Sequence, residues 1–292
     1  MIIVQILGGL GNQMFQYASG RALSERLNQL LRLDASGFAN YQLHNGFELS
    51  RLFTSSMDLV TPDEMKAVLG WQASPSIRRL LIRQKLTVLR NDRFIVEPHF
   101  QHWTGISGVP KDAYLIGYWQ SEKYFKPIEK IIRVDFTFKQ PMLDMNQRIA
   151  QEIDQSNAIS LHVRRGDYVQ NSNTLATHGV CSLDYYQAAI QYIAERVVRP
   201  NFFVFSDDIA WVKDNLKIYF TCRYVDHNQG TESYNDMRLM SLCQHHIIAN
   251  SSFSWWGAWL NPNQEKIVIA PKKWFANGND VCDLISEDWV TL

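Results

Sequence analysis

Phe202-Phe203-Val204-Phe205 has no polar residue on either alternation phase, so a strand formed there must be covered on both faces. That calls for helices on both sides of a largely parallel sheet. The rest of the chain supplies the matching pattern. Short apolar runs recur at 2–7, 30–34, 114–116, 158–161, 223–225, 247–249 and 267–270. Between them, apolar residues fall at helical spacing, as in Met14, Tyr17, Ala18, Leu23 and Leu27, or Ala189, Ile190 and Ile193. Thr61-Pro62-Asp63-Glu64 has the form of a capping box with proline at the first helical position. The spacing further predicts a basic-faced helix over 76–89, helices over 122–132 and 142–153, and one over 232–244 that closes on the polar pair His245-His246. Strand and helix alternate as in an α/β chain made of two Rossmann-like halves. The length of 292 residues accommodates both. The expected division is 1–155 and 156–292.

Lys+Arg and Asp+Glu are both 29, so no broad basic field exists to hold nucleic acid. The apolar start at 1–7 is too short to span a bilayer, and it lacks a basic leader and a small-residue cleavage site. No other run reaches membrane length. A cytoplasmic enzyme is expected, and contact with a membrane face through its acceptor stays open. Cys181, Cys222, Cys243 and Cys282 form no C-x-x-C pair, so reduced thiols are expected. Glu97, His99 and His102 make a poor metal set, because two histidines three apart carry no helix signal here.

The chemistry-bearing residues cluster where strands end. In Ser160-Leu161-His162-Val163-Arg164-Arg165-Gly166-Asp167, an apolar lead-in is broken by glycine. Both arginines fall at the edge where open α/β sheets bind ligands. A guanidinium has fixed charge and a planar fork of donors that suits a diphosphate. Asp167 can orient one of the arginines, and His162 can donate to a phosphate or a ribose. The same residues also describe a solvated ion pair on a surface loop. The first strand runs into Gly8-Gly9-Leu10-Gly11-Asn12-Gln13, a loop with neither the G-x-G-x-x-G nor the G-K-[ST] spacing, so NAD and ATP are not favoured. Gly117-Tyr118-Trp119-Gln120-Ser121 mixes rings that stack on sugars with an amide that reads hydroxyls; core packing with a helix cap at Ser121 is the other reading. Ser206-Asp207-Asp208 holds acids that usually cap the next helix, without D-x-D spacing. Asp226 can accept from guanine N1 and N2. In 250–260, Ser252 and Ser254 fall beside the N–H groups of a helix start, an anion site, and the tryptophans are read as core.

His162-x-Arg164-Arg165-x-Asp167 resembles the first motif of the α-1,2-fucosyltransferases of glycosyltransferase family 11, and is similar to motifs of the core α-1,6- and protein O-fucosyltransferases. The Gly8–Gln13 loop, the 117–121 run, the 206–208 loop and, most strongly, 250–260 also resemble this family, spanning Gly8 to about Trp274. The resemblance implies a GT-B-type fold, two Rossmann-like domains facing a central cleft, the first on the acceptor side and the second on the donor side. It implies inverting transfer of L-fucose from GDP-β-L-fucose, as co-substrate, to the 2-hydroxyl of a β-galactoside in surface-glycan synthesis of the O-antigen kind. No metal and no other cofactor is implied. Asn12, His162, Arg164, Arg165, Asp207, Asp226, Ser252 and Ser254 become donor-side candidates, and Gln13, Tyr118, Trp119 and Gln120 acceptor-side candidates. Arg164 would stabilise the leaving diphosphate, with Asp167 the nearest acid to serve as base. Another linkage or acceptor, a peptide hydroxyl included, and a non-catalytic glycan- or nucleotide-binding protein stand as alternatives.

Overall fold

The structure, a computed structural model, describes residues 1–40, 45–166, 175–177, 179–276, 278 and 282–292. The chain divides into two compact units, Met1–Gln140 with Val281–Leu284, and Pro141–Asp280 with Ile285–Leu292.

The first unit contains β1 (Ile2–Gln5), α1 (Leu10–Leu27), β2 (Leu31–Asp34), the single turn α2 (Leu49–Leu52), α3 (Pro62–Leu69), α4 (Pro75–Leu81), β3 (Phe94–Val96), β4 (Ala113–Ile116) and α5 (Glu129–Asp135). Its sheet has the order β2-β1-β4-β3, with every pairing parallel. Ile3, Phe94, Tyr114 and Ile116 pack against Met65, Val68 and Leu69 of α3 and Leu81 of α4. Helix α3 starts with the expected capping box between Thr61 and Glu64. The helix expected over 76–89 stops at Leu81, and a separate 3₁₀ turn covers Gln84–Leu89. Its Arg78 is not on a solvated face. Arg78 is buried in an ion pair with Asp34, and the Tyr114 hydroxyl donates to the same carboxylate at 2.7 Å. The pair is partly compensated inside, with Arg78 Nη1 also donating to the Tyr114 hydroxyl at 2.9 Å, while Arg78 Nε has no hydrogen-bond partner among the described residues. The region expected as one helix over 122–132 is two 3₁₀ turns followed by α5.

The second unit contains α6 (Asp144–Asp154), β5 (Asn157–Val163), α7 (Leu183–Ala194), β6 (Pro200–Ser206), α8 (Ile209–Asn215), β7 (Thr221–Val225), α9 (Tyr234–Leu242), β8 (His245–Ile247), α10 (Ser252–Leu260), β9 (Val268–Ala270) and β10 (Val290–Thr291). The sheet order is β7-β6-β5-β8-β9-β10, again all parallel. Numbered from β5, that is the doubly wound order 3-2-1-4-5-6. The strand at 202–205 is sandwiched: Phe202 and Val204 pack with α7, while Phe203 and Phe205 pack with Ile149 and Ile153 of α6 and Leu239 and Met240 of α9. Packing of α6 on this sheet is why the division falls at Gln140, not at the expected 155. Trp255, Trp256 and Trp259 are buried and packed on one another, with centroids as close as 5.1 Å.

His245 and His246 open strand β8; they do not trail a helix. His246 is buried, with Nδ1 2.8 Å from Ser160 Oγ and Nε2 2.8 Å from Asn261 Nδ2. Burial first, then the charges of Lys266 and His245, hold it down at about 3, so it is a neutral bridge between β5 and the end of α10. Among the described residues, no helix is long and apolar enough to cross a membrane.

Candidate functional site

In a doubly wound sheet the ligand crevice lies at the carboxyl ends of the two strands where the order reverses. In the second unit these are β5 and β8. The first residue beyond β5 is Arg164, and the chain beyond β8 leads into α10. Arg164 Nε lies 3.3 Å from Asp207 Oδ2, just past β6, and Asp207 Oδ1 accepts the Arg165 N–H at 2.9 Å. One acid thus fixes both the guanidinium and the backbone of the loop that carries it. The Arg164 side chain keeps 24 % of its surface exposed, so its fork can also meet a ligand.

Arg165 is engaged elsewhere. Its guanidinium lies 4.1 Å from the centroid of the Trp211 ring, and Nε is 3.7 Å from Asp208, too long for a hydrogen bond. Asp208 is the helix cap of the pair of acids, with its carboxylate accepting from Trp211 N–H at 3.2 Å. His162 is buried against Phe253, and its Nδ1 has no hydrogen-bond partner. Burial, then the charge of Arg164, depress it to about 3. At neutral pH it is an uncharged ring, not a cation for a phosphate.

At α10 the serine roles shift by position. The cap is Ser251, whose hydroxyl accepts from Phe253 N–H at 3.3 Å. Ser254 is buried, and its hydroxyl donates back to Ser251 O at 3.3 Å, so it does not stand at the open end of the helix. Ser252 is half-buried in the first turn. Asp226 is exposed and faces Lys213 at 3.5 Å. The carboxylate withdrawn from water in that neighbourhood is Asp236, which accepts from Asn228 Nδ2 at 2.7 Å and is pushed by burial to about 7. In sequence it looks like any acid in a helix's first turn. Asp167 lies outside the described residues.

In the first unit the strand order reverses between β1 and β4. Gly8 adopts φ +79°, and a Cβ there would sit 2.7 Å from Asn12 Nδ2, so only glycine admits the turn into α1. Asn12 Oδ1 accepts from Gln120 Nε2 at 2.6 Å, joining the first turn of α1 to the loop beyond β4. Gln16 makes a second bridge: it accepts from Leu7 N–H at 3.0 Å and donates to Gly117 O at 3.1 Å. Gln13, expected to meet a sugar, is fully buried and spent on backbone. It donates to Gly8 O and Gly46 O and accepts from Glu48 N–H. Trp119 is also wholly buried, edge-on to Tyr124 at 5.5 Å, and offers no face for stacking. Tyr118 alone of the three acceptor candidates on this loop is exposed.

That loop hangs on a residue the sequence did not single out for this purpose. Both oxygens of Glu97, just past β3, accept backbone N–H groups, from Tyr118 at 2.7 Å and Trp119 at 2.9 Å. Burial pushes Glu97 to about 7, against those two hydrogen bonds. His102 does not join it. The His102 ring packs on Tyr124 at 4.6 Å, and the His102 backbone N–H donates to Asp283 at 2.9 Å. Among the described residues no three of His, Cys, Asp or Glu are grouped to hold a metal.

The chain matches the model described as Glycosyl transferase family 11 over residues 1–292. It is 39% identical to the alpha-1,2-colitosyltransferase of Escherichia coli over 100% of this chain and 99% of that protein. It is 24% identical to galactoside alpha-(1,2)-fucosyltransferase 2 of Rattus norvegicus, over 89% of this chain and 67% of that one. Among solved structures, NodZ from Bradyrhizobium, an α-1,6-fucosyltransferase co-crystallised with GDP, matches at a TM-score of 0.54 and 15% identity, covering 89% of this chain and 92% of that one. That likeness is one of fold, the GT-B type, with a parallel-sheet α/β unit in each half. A doubly wound second unit with an acid-held arginine at its switch point, and a family model matched from end to end, lead to one assignment: the chain belongs to glycosyltransferase family 11.

Proposed function

We propose that this protein transfers L-fucose from GDP-β-L-fucose to the 2-hydroxyl of a terminal β-galactose, with inversion and without a metal, in building a surface glycan of the O-antigen kind. The observation that carries the reading is Arg164, held by Asp207 at the carboxyl end of β5. As the acceptor oxygen bonds to C1 of fucose, the C1–O bond to the diphosphate breaks and its electron pair leaves with GDP. A fixed guanidinium aimed at that oxygen stabilises the growing charge, and the first turn of α10 adds backbone dipoles. Arginine supplies paired donors where other transferases use a divalent ion. The similarity to an alpha-1,2-colitosyltransferase and to a galactoside alpha-(1,2)-fucosyltransferase supports the α-(1,2) linkage.

Arg164→Ala is expected to lower transfer by about 10²–10³-fold while the melting temperature stays put. Arg164→Lys should fail nearly as badly, because a point charge does not replace the fork. Near-normal turnover by either variant overturns the role. Incubation with GDP-fucose and a panel of β-galactosides in EDTA, with the product linkage read by NMR, tests the reaction. The similarity to a colitosyltransferase supports a second reading in which the donor carries colitose, which lacks the 3-hydroxyl of fucose. GDP-colitose run in parallel decides between them by kcat/KM.

A further inference from the structure

Between α3 and β3 the first unit carries a small knob whose outer surface mixes bare apolar side chains with cations. The chain makes a 3₁₀ turn at Gly70–Ala73, then α4, then the 3₁₀ turn at Gln84–Leu89. Two side chains pin these pieces together. Gln72 donates to Leu89 O at 2.8 Å and accepts from Asn91 N–H at 3.3 Å. Arg90 donates from Nε to Leu81 O at 2.8 Å and from Nη2 to Ile82 O at 3.1 Å, closing the end of α4. On the inner side, Ile77, Leu81 and Leu86 pack into the core with α3 and the sheet. On the outer side, Trp71, Leu80, Ile82, Val88 and Leu89 are all exposed, Trp71 at 65 % and Val88 at 90 %. An exposed apolar residue standing alone needs no explanation, but a concentration of them on one pinned knob marks a contact surface.

Charge on the knob is all of one sign. From Met65 to Asn91 the sequence holds Lys66, Arg78, Arg79, Arg83, Lys85 and Arg90, and no Asp or Glu. Asp34 takes up Arg78, and backbone carbonyls take up Arg90. Arg79, Arg83 and Lys85 are exposed and have no acid partner among the described residues. The chain as a whole is neutral, so this is a local accumulation. A basic face that met only water would have no use for a tryptophan and a valine standing out between its charges. A second copy of the same surface would bring like charges together. Apolar tips set among cations match the headgroup layer of an anionic bilayer. The tips enter the boundary with the acyl chains, while long basic side chains keep their charges at the lipid phosphates. We propose that the knob at 71–90 is a peripheral docking surface for an anionic lipid bilayer. Helix α4 has 7 residues, far too few to cross, so the knob lies on the membrane surface. The inference stands apart from the transfer reaction, since it needs neither the donor nor the second unit.

The test is co-sedimentation of the intact protein with vesicles of phosphatidylcholine alone and of phosphatidylcholine mixed equally with phosphatidylglycerol. Binding is expected to the mixed vesicles only, and it should weaken steeply as salt is raised. A cation near an anionic surface contributes about fivefold in partitioning, so Arg79→Glu, Arg83→Glu and Lys85→Glu together should lower binding by about 10²-fold or more. Trp71→Ser with Val88→Ser and Leu89→Ser should lower it by about tenfold with the charge unchanged. All six side chains are exposed, so the melting temperature of both variants should match the wild type. Wild-type protein that ignores anionic vesicles overturns the proposal without any variant, and so does equal binding to both kinds of vesicle. A charge variant that binds as the wild type does would move the contact off this knob and overturn it too. So would an unaffected serine variant, which would leave the apolar tips without a role. Capture of polyglutamate with the vesicles ignored would make this a surface for an acidic protein, and the lipid assignment would fall.

Discussion

Asp207 does two jobs with one side chain. Oδ2 faces the Arg164 guanidinium, and Oδ1 accepts the backbone N–H of Arg165. Replacing it with asparagine keeps the second contact and removes the countercharge from the first. The guanidinium then loses its orientation, so Asp207→Asn should lower kcat by about tenfold. In the Arg164→Ala background the same change should cost almost nothing further. A double-mutant cycle on kcat reads this directly: strong non-additivity is expected, and simple additivity would mean the two residues do not act as a pair. Arginine type and strand-end position made Arg164 visible in the sequence. Asp207 was visible only as one of two acids, and nothing in Ser206-Asp207-Asp208 tells which caps α8 and which turns to the arginine. Glu97 was hidden for a different reason: its importance lies in contacts with residues twenty positions later and in the loss of water, neither of which is written in local spacing.

At the scale of elements, legibility followed length and apolar contrast. Strands β5 and β6 stand out because seven residues each cross a doubly covered sheet. Strand β3 has three residues between Arg93 and Glu97, and β10 has two, so neither rises above loop composition. Serines 251, 252 and 254 predict a capped helix equally well in several frames; only backbone geometry selects Ser251. His245 and His246 misled because histidines often end helices, whereas here His246 replaces an apolar strand residue and finds its partners across the sheet. That bridge carries a pH signature. An unfolded histidine takes a proton near 6.5, while native His246 resists until about 3. Below pH 6.5 the unfolded chain therefore binds a proton the native one does not. The contribution to stability is complete above about 6.5 and is lost as pH falls toward 3. His246→Gln should lower stability at pH 7 by roughly 1–3 kcal/mol, through a poorly met hydrogen-bond bridge. It should also shrink the fall in urea midpoint between pH 7 and pH 5. An unchanged fall would show that His246 is not the group responsible.

For the whole molecule, the division into units is sewn by the C-terminal segment. Val281–Leu284 belongs to the first unit and Ile285–Leu292 to the second. In the first unit, Asp283 accepts from His102 N–H at 2.9 Å and from Lys123 Nζ at 2.7 Å, and Leu284 is buried. In the second, β10 adds the outer strand beside β9. A cut after Gln140 is therefore unequal in its effects. Residues 141–292 keep all six strands, both core layers, and the whole set of Arg164, Asp207 and α10. Residues 1–140 keep their sheet but lose the Asp283 anchor and the Leu284 side chain. The second fragment should unfold in one cooperative transition and gain melting temperature with GDP, because ligand that binds only the native form stabilises it by mass action. The first should melt below the intact chain unless 281–284 is restored, for instance as an appended segment. A second fragment that melts without cooperativity would mean the doubly wound sheet needs the first unit to hold its packing. A cooperative fragment blind to GDP would instead place the nucleotide's binding energy outside the β5–β8 switch point, and the role assigned to Arg164 would fall with it.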